Sequence, residues 1–250
     1  MSITMSKIGS LGRMANAMFQ ISAVVGQARK CNTDWFMPEW KYTPYFEGDF
    51  PTQLNNPSLP KYTEKSFHYT EIPFMEIVDL EGYWQSIKYW QHCEDEIRSM
   101  FTFKQEIIER ATSFIQKHSN GKIPVFVHQR YGDYITMKHY YCNLTPEWYM
   151  EAMNMFDPTT HHFFVVSDDI NLARQNTIQT VSITFCGFDE ITDLAILSLC
   201  SGGVMANSSF SWFGAFLGKQ DKKIIAPACW FTELAAHNTS DLYLDTWTIL

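Results

Sequence analysis

Three short apolar runs, each ending in polar residues, constrain this chain most: IPVFVHQ (123–129), HHFFVVSDD (161–169) and GGVMANSSF (202–210). Helical stretches separate them, TPEWYMEAMNMF after the first and TDLAILSLC before the third. Strands that are apolar on both faces and joined by helices belong to a parallel sheet of βαβ units, because helices cover such a sheet on both sides. In these sheets ligands lie beyond the carboxyl ends of the strands. The runs bring His128, Arg130 and Asp133 to the first end, Ser167, Asp168 and Asp169 to the second, and Asn207, Ser208, Ser209 and Ser211 to the third.

The remaining pattern extends the same fold class. SITMSKIGS (2–10) reads as a strand and NAMFQISAVVGQARKCN (16–32) as a helix, joined by a glycine-containing turn. Residues 38–75 hold most of the prolines and many aromatics, which predicts irregular, surface-mounted structure. GYWQSIKYWQHCEDEIRSMF (82–101) reads as helical, and KQEIIERATSFIQKH (104–118) as an amphipathic helix closed by SNGK. The uncharged stretch Leu194–Gly218 is broken by Ser, Asn and Gly, so it predicts a buried helix, strand and helix in place of a membrane span. We divide the chain into α/β domains at 1–121 and 122–250, the last helix having the option of packing back on the first domain.

Composition narrows the function. A chain of 250 residues that is 46% hydrophobic buries a sizeable core. Its net charge of -8 lacks the cationic surplus of a nucleic-acid binder. The six cysteines show neither C-x-x-C pairing nor metal spacing, and MSITMSKIGS is too polar for a signal peptide, so reduced thiols in a cytoplasmic protein are expected. The P-loop, G-x-S-x-G and H-E-x-x-H motifs are absent, which removes the usual support for ATPase, α/β-hydrolase and zincin readings.

The three strand-end clusters together offer a fixed cation, carboxylates, hydroxyls and the free N–H groups of a helix start. That set suits a nucleotide diphosphate: helix N-termini favour anions, and Arg presents a rigid fork to phosphate oxygens. Each cluster also has a plainer reading. Arg130 and Asp133 make an ordinary ion pair, SDD caps the helix INLARQN, and NSSFSW is a turn with capping serines.

The motifs resemble those of the α-1,2-fucosyltransferases of glycosyltransferase family 11. GRMANAMFQ (12–20) is similar to that family's G-R-L-G-N-Q-M-F-Q, HQRYGDY (128–134) to its H-V-R-R-G-D-Y, and GYWQSIKYW (82–90) to its G-Y-F-Q-S-x-x-Y-F. FFVVSDD (163–169) and DLAILSLCSGGVMANSSFSWFGAFLG (193–218) resemble its two later motifs, so the likeness runs through nearly the whole chain. The resemblance implies a GT-B-like fold of two facing Rossmann-like α/β domains, 1–121 on the acceptor side and 122–250 binding the nucleotide sugar. It also implies inverting transfer of L-fucose from GDP-fucose to a glycan hydroxyl, with no cofactor or metal. Arg130 matches the Arg that grips the donor diphosphate. Arg13, Asn16, His128, Ser167, Asp168, Asn207, Ser208, Ser209 and Phe210 match donor-binding positions, and Gln85 and Ser86 fall on the acceptor side. The catalytic base is open between Asp133 and His139. Trp40, Tyr45, Tyr83 and Trp84 are candidate sugar-stacking surfaces. Where the family has a second Arg the chain has Tyr131, a change that removes a charge-assisted bond of about 1.5–3 kcal/mol. Transfer from another GDP-sugar, a catalytically dead nucleotide-sugar or glycan-binding module, and a structural protein are the competing classes.

Overall fold

Ser2–Thr4 (β1) runs through a turn with Gly9 and Gly12 at positive φ into Met14–Cys31 (α1), which ends on Asn32 in the left-handed conformation. Nearly every face of α1 is buried. With Asp34–Trp35 (β2), Lys61–Thr63 (β3) and Val78–Glu81 (β4), β1 forms a parallel sheet ordered β2-β1-β4-β3. The loop after β1 is tied to β4 by Asp79, whose two oxygens accept the Ser6 N–H at 2.8 Å and the Ser6 hydroxyl at 2.7 Å. Ile87–Tyr89 and Gln91–Cys93 are single 3₁₀ turns and Glu94–Met100 is α2, so the helical expectation for 82–101 fails over its first five residues.

The computed structural model describes residues 1–53, 58–177 and 182–250. Within them, 38–75 is poor in regular elements, as expected, though its portion at 54–57 lies outside the described residues. Four of its aromatics, Trp40, Tyr42, Phe46 and Phe50, are buried, whereas Tyr45 and Phe74 are exposed. Trp40, Phe46 and Phe50 are buried with Phe101, the Phe46 and Phe101 ring centroids lying 5.4 Å apart. Trp40 and Trp84, at 4% and 1% exposure, are therefore core residues with no ring face for a sugar, whereas Tyr45 and Tyr83 stay exposed. Burial of their large apolar area outweighs any surface role.

Gln105–Ser119 (α3) opens the second unit. Its sheet contains Ile123–Gln129 (β5), His161–Ser167 (β6), Ile183–Phe185 (β7), Gly202–Val204 (β8), Lys223–Ala226 (β9) and Thr248–Ile249 (β10). The order is β10-β9-β8-β5-β6-β7 and every pairing is parallel. The helices are Gly132–Thr136 (α4), Pro146–Asn154 (α5), Ile170–Asn176 (α6), Glu190–Leu199 (α7) and Ser209–Phe216 (α8). Helix α7, strand β8 and helix α8 are the buried succession expected for Leu194–Gly218. Val125, Val127, Phe163, Val165 and Val204 pack with Tyr149 and Met153 of α5 into one apolar cluster.

The units are Met1–Lys104 with His237–Tyr243, and Gln105–Ala236 with Leu244–Leu250. The break therefore falls before α3, not after residue 121. Helix α3 belongs with the second sheet because Phe114 meets Phe188 at 4.8 Å and Phe164 at 6.0 Å, and Arg110 pairs with Asp189 at 3.0 Å. The segment that returns to the first unit is an irregular stretch of chain, not a helix, and Asp241 accepts the Tyr69 N–H at 2.8 Å there.

One expectation about the cysteines fails. Cys142 and Cys229 form a disulfide with Cα atoms 5.9 Å apart, while Cys31, Cys93, Cys186 and Cys200 are free. An antiparallel bridge between Tyr141 and Phe231 brings the two loops together across 87 residues of sequence, a proximity that spacing does not reveal. Among the described residues no helix is long and apolar enough to cross a membrane.

Candidate functional site

The sheet of the second unit has a topological switch point. From β5 the chain proceeds through β6 to β7, then crosses back to lay β8 on the other side of β5. Loops leaving β5 and β8 therefore diverge, and a crevice at that point is where ligands sit in open parallel sheets. The register aligns the strand ends, Gln129 lying opposite Ser167 and Val127 opposite Val204. Alternation along β5 puts His128 and Gln129 on opposite faces. Gln129 is fully buried and donates to the Thr177 hydroxyl at 3.0 Å.

His128 is 3% exposed, its ring centroid lies 5.2 Å from that of Phe210, and its Nδ1 has no hydrogen-bond partner. Burial, followed by the charge of Arg130, pushes its pKa down to about 3, so the imidazole is neutral at physiological pH. A buried polar atom without a partner is rare in a folded protein and marks a place where another group is wanted.

Arg130, the next residue after β5, has a side chain only 12% exposed. Its guanidinium pairs with Asp168 at 3.0 Å and with Asp133, and lies 5.3 Å from the centre of the Tyr134 ring. Asp168 commits one oxygen to this pair and the other to the Tyr131 N–H at 2.9 Å. It thus fixes the cation in this structure, where the resemblance places it on the guanosine. Gly132 sits at φ +25, and a Cβ there would come within 2.2 Å of the Asp168 carboxylate, so the turn between β5 and α4 needs glycine. The ion-pair reading of Arg130 and Asp133 is realised, with Asp168 as a second partner.

The third strand end is built by the loop into α8. Ser208 caps the helix by accepting the Phe210 N–H at 3.3 Å, and the Ser211 hydroxyl donates to the Ala206 carbonyl at 3.1 Å. Asn207 donates its amide to the carbonyls of Cys142 at 2.9 Å and Trp230 at 2.8 Å, so it positions loops. Tyr134, which the sequence did not single out, donates its hydroxyl to the Asn207 carbonyl at 2.9 Å and couples α4 to this loop. On the second strand end Ser167 donates its hydroxyl to the Asp169 carbonyl at 3.2 Å, and Asp169 caps α6 through the Leu172 N–H at 2.9 Å.

The remaining candidates have other surroundings. His139 is exposed on the turn after α4, and among the described residues no hydrogen bond or ion pair joins its ring to Arg130 or Asp168. Tyr131, in place of a second Arg, packs against the apolar cluster and donates its hydroxyl to Gln129 at 3.2 Å, so this position serves the core. Arg13, Asn16, Gln85 and Ser86 belong to the other unit. There the Gln85 amide donates to the Asn16 side-chain oxygen at 2.6 Å, Ser86 accepts the Lys88 N–H at 3.3 Å, and Arg13 is exposed at the start of α1. Among the described residues no three His, Cys, Asp or Glu side chains are grouped to hold a metal ion.

The family model described as Glycosyl transferase family 11 matches residues 4–250. The O-antigen biosynthesis glycosyltransferase WbnK of Escherichia coli is 32% identical over 132 residues, 48% of this chain and 42% of that protein. An alpha-1,2-colitosyltransferase of Escherichia coli is 30% identical over 168 residues, 62% of this chain and 56% of that protein. The aligned region thus spans about half the length of these two relatives. Galactoside alpha-(1,2)-fucosyltransferase 2 of Oryctolagus cuniculus is 26% identical and is aligned over 88% of this chain and 68% of its own. The crystal structure of fucosyltransferase NodZ from Bradyrhizobium shares the fold, with a TM-score of 0.55 at 13% identity over 82% of this chain and 89% of its own. POFUT1 in complex with GDP-fucose does so with a TM-score of 0.53 at 16% identity, over 88% of this chain and 95% of its own.

Proposed function

Because the chain belongs to glycosyl transferase family 11, we propose that it moves L-fucose from GDP-fucose to O2 of a galactose-like sugar, inverting the anomeric centre and using no metal. The observation that carries this reading is the pairing, at one switch point, of a held cation with a capped helix start: Arg130 after β5 and Ser208 before α8. Breaking the bond between fucose and GDP builds negative charge on the departing β-phosphate. A preorganised donor aimed at such charge contributes roughly 3–4 kcal/mol. Arg130 supplies that donor, with Asp168 keeping its fork in place, and the opening turn of α8 adds N–H groups and a helix dipole.

A guanidinium has five N–H donors, so contacts with two carboxylates do not exhaust it. Asp133 is 45% exposed and weakly held in solvent, and it is the partner that the diphosphate displaces. His128, neutral and lacking a partner at Nδ1, and Phe210 beside it form the nucleoside-facing surface. The acceptor hydroxyl loses its proton to Asp133 or His139, and His139→Ala tests the second: a base lowers turnover while GDP affinity stays constant.

The colitosyltransferase among the relatives favours one second reading, transfer of another GDP-linked sugar. Both readings are tested by assaying GDP release from GDP-fucose and GDP-mannose with β-galactoside acceptors, with and without EDTA. Fucosyl transfer without a metal requires activity with GDP-fucose that survives EDTA. Activity confined to another donor, or lost on chelation, overturns it.

A further inference from the structure

Four non-glycine residues among those described have positive φ: Asn32, Trp84, Asn120 and Ala236. Asn32 and Ala236 close a helix or 3₁₀ turn and Asn120 follows the end of α3, positions where a left-handed residue is ordinary. Trp84 ends no helix. It sits in the turn after β4 at φ 57, and a bulky residue held there needs surroundings that overdetermine it.

Those surroundings are specific. Glu64 accepts the Tyr83 N–H at 2.7 Å and the Trp84 N–H at 3.0 Å, one on each carboxylate oxygen. Gly82 before them has φ 159, and a Cβ there would fall 2.4 Å from Glu64. Gln20 of α1 donates its amide to the carbonyls of Leu11 at 3.2 Å and Gly82 at 3.1 Å, joining the loop before α1 to the same turn. The Trp84 ring stacks on Tyr62 and meets Tyr89 edge-on at 5.1 Å. Burial pushes the Glu64 carboxyl up to about 7, offset by the two N–H bonds. A half-buried acid held at such a cost is there for what it orders.

The turn sorts three adjacent side chains. Trp84 goes into the core, Tyr83 is left 42% exposed, and Gln85 reaches Asn16. An exposed phenol ring on a fixed turn at the carboxyl end of β4 suits the carbon face of a sugar. We propose that Glu64 is the positioning residue of the acceptor site, clamping the backbone of Tyr83 and Trp84 so that the Tyr83 ring receives the acceptor sugar, an inference that rests on the glycosyl-transfer reading.

The test uses the full chain, GDP-fucose, and the β-galactoside that wild type labels best. Glu64→Gln keeps the volume but faces an amide NH₂ toward one of the two backbone N–H groups. It is expected to raise acceptor KM about tenfold, while GDP affinity by calorimetry and GDP-fucose hydrolysis without acceptor stay within twofold. Tyr83→Ala, a change at an exposed ring, is expected to raise acceptor KM in the same way, and it decides the matter if Glu64→Gln loses its melting transition. Acceptor KM unchanged in the folded variants, or GDP affinity falling in step with it, overturns the proposal. A wild-type chain without turnover on any β-galactoside overturns the transfer reading itself and this inference with it, a result distinct from an active wild type with indifferent variants.

Discussion

Both units end a parallel strand in a braced turn, and they furnish those turns with opposite chemistry. After β5 the second unit places a guanidinium between two carboxylates, beside a helix start. After β4 the first unit places the exposed Tyr83 ring on a turn held by one half-buried acid, with the buried Gln20 amide bracing it. Formal charge with preset geometry suits phosphate, whereas an exposed aromatic ring suits the carbon face of a sugar. On the proposed function, one strand-end geometry is adapted to two substrates by the side chains that brace it, as much as by those that touch the ligand.

The contrast is most vulnerable at Gly132. Gly132→Val forces a Cβ onto the Asp168 carboxylate from a backbone that disfavours side chains, so Arg130 loses its brace. Transfer is expected to fall at least a hundredfold with the fold intact by circular dichroism. Asp168→Asn is milder: the amide oxygen can still accept the Tyr131 N–H, but the charge on Arg130 goes unmatched on that side. Turnover is expected to drop about tenfold, read as a kcat loss larger than the change in GDP affinity. If either variant instead raised acceptor KM alone, the assignment of charge to donor and aromatic ring to acceptor would be reversed.

Two smaller effects refine the distinction between the units. Ser208→Ala removes the cap of α8 and is expected to cost about 1 kcal/mol of stability, seen as a lower urea midpoint. The pH response compares two acids, one in each unit. Burial raises both Glu64 and Asp193 to about 7. A carboxyl whose folded pKa lies above its unfolded value contributes stability that is full below the unfolded pKa and is lost as pH rises through 7. His128 acts in the opposite sense, because its depressed pKa costs stability as pH falls from 6.5 toward 3. The urea midpoint is therefore expected to fall from pH 6.5 to 8, with a slope under about 1.4 kcal/mol per pH unit per group. Glu64→Gln flattens the part that belongs to the first unit, and Asp193→Asn the part that belongs to the second.

Much of the second unit was legible because its information is local. The runs that became β5, β6 and β8 are bounded by polar residues, α3 has one apolar face, and Asp169 and Ser208 cap helices as their spacing implied. Arg130 was legible as a fixed cation at a strand end, though its double engagement by Asp133 and Asp168 was only half foreseen. What escaped depends on distant pairs. Glu64 meets Trp84 across 20 residues, Tyr134 meets Asn207 across 73, and Cys142 meets Cys229 across 87. Val78–Glu81 is too short to show periodicity, and a positive φ at Trp84 leaves no mark in composition. The aromatics of 38–75 read as surface because their prolines signal loops, yet a loop whose rings close on one another makes its own core.

Whether Arg130 receives the diphosphate decides the function proposed for this chain, and calorimetry with GDP on wild type and on Arg130→Ala tests it directly. Wild type is expected to bind in the micromolar range, and the folded variant at least tenfold more weakly, together with loss of transfer from GDP-fucose. Equal GDP affinity in the two proteins would contradict this and return Arg130 to the role of a structural partner for Asp133 and Asp168.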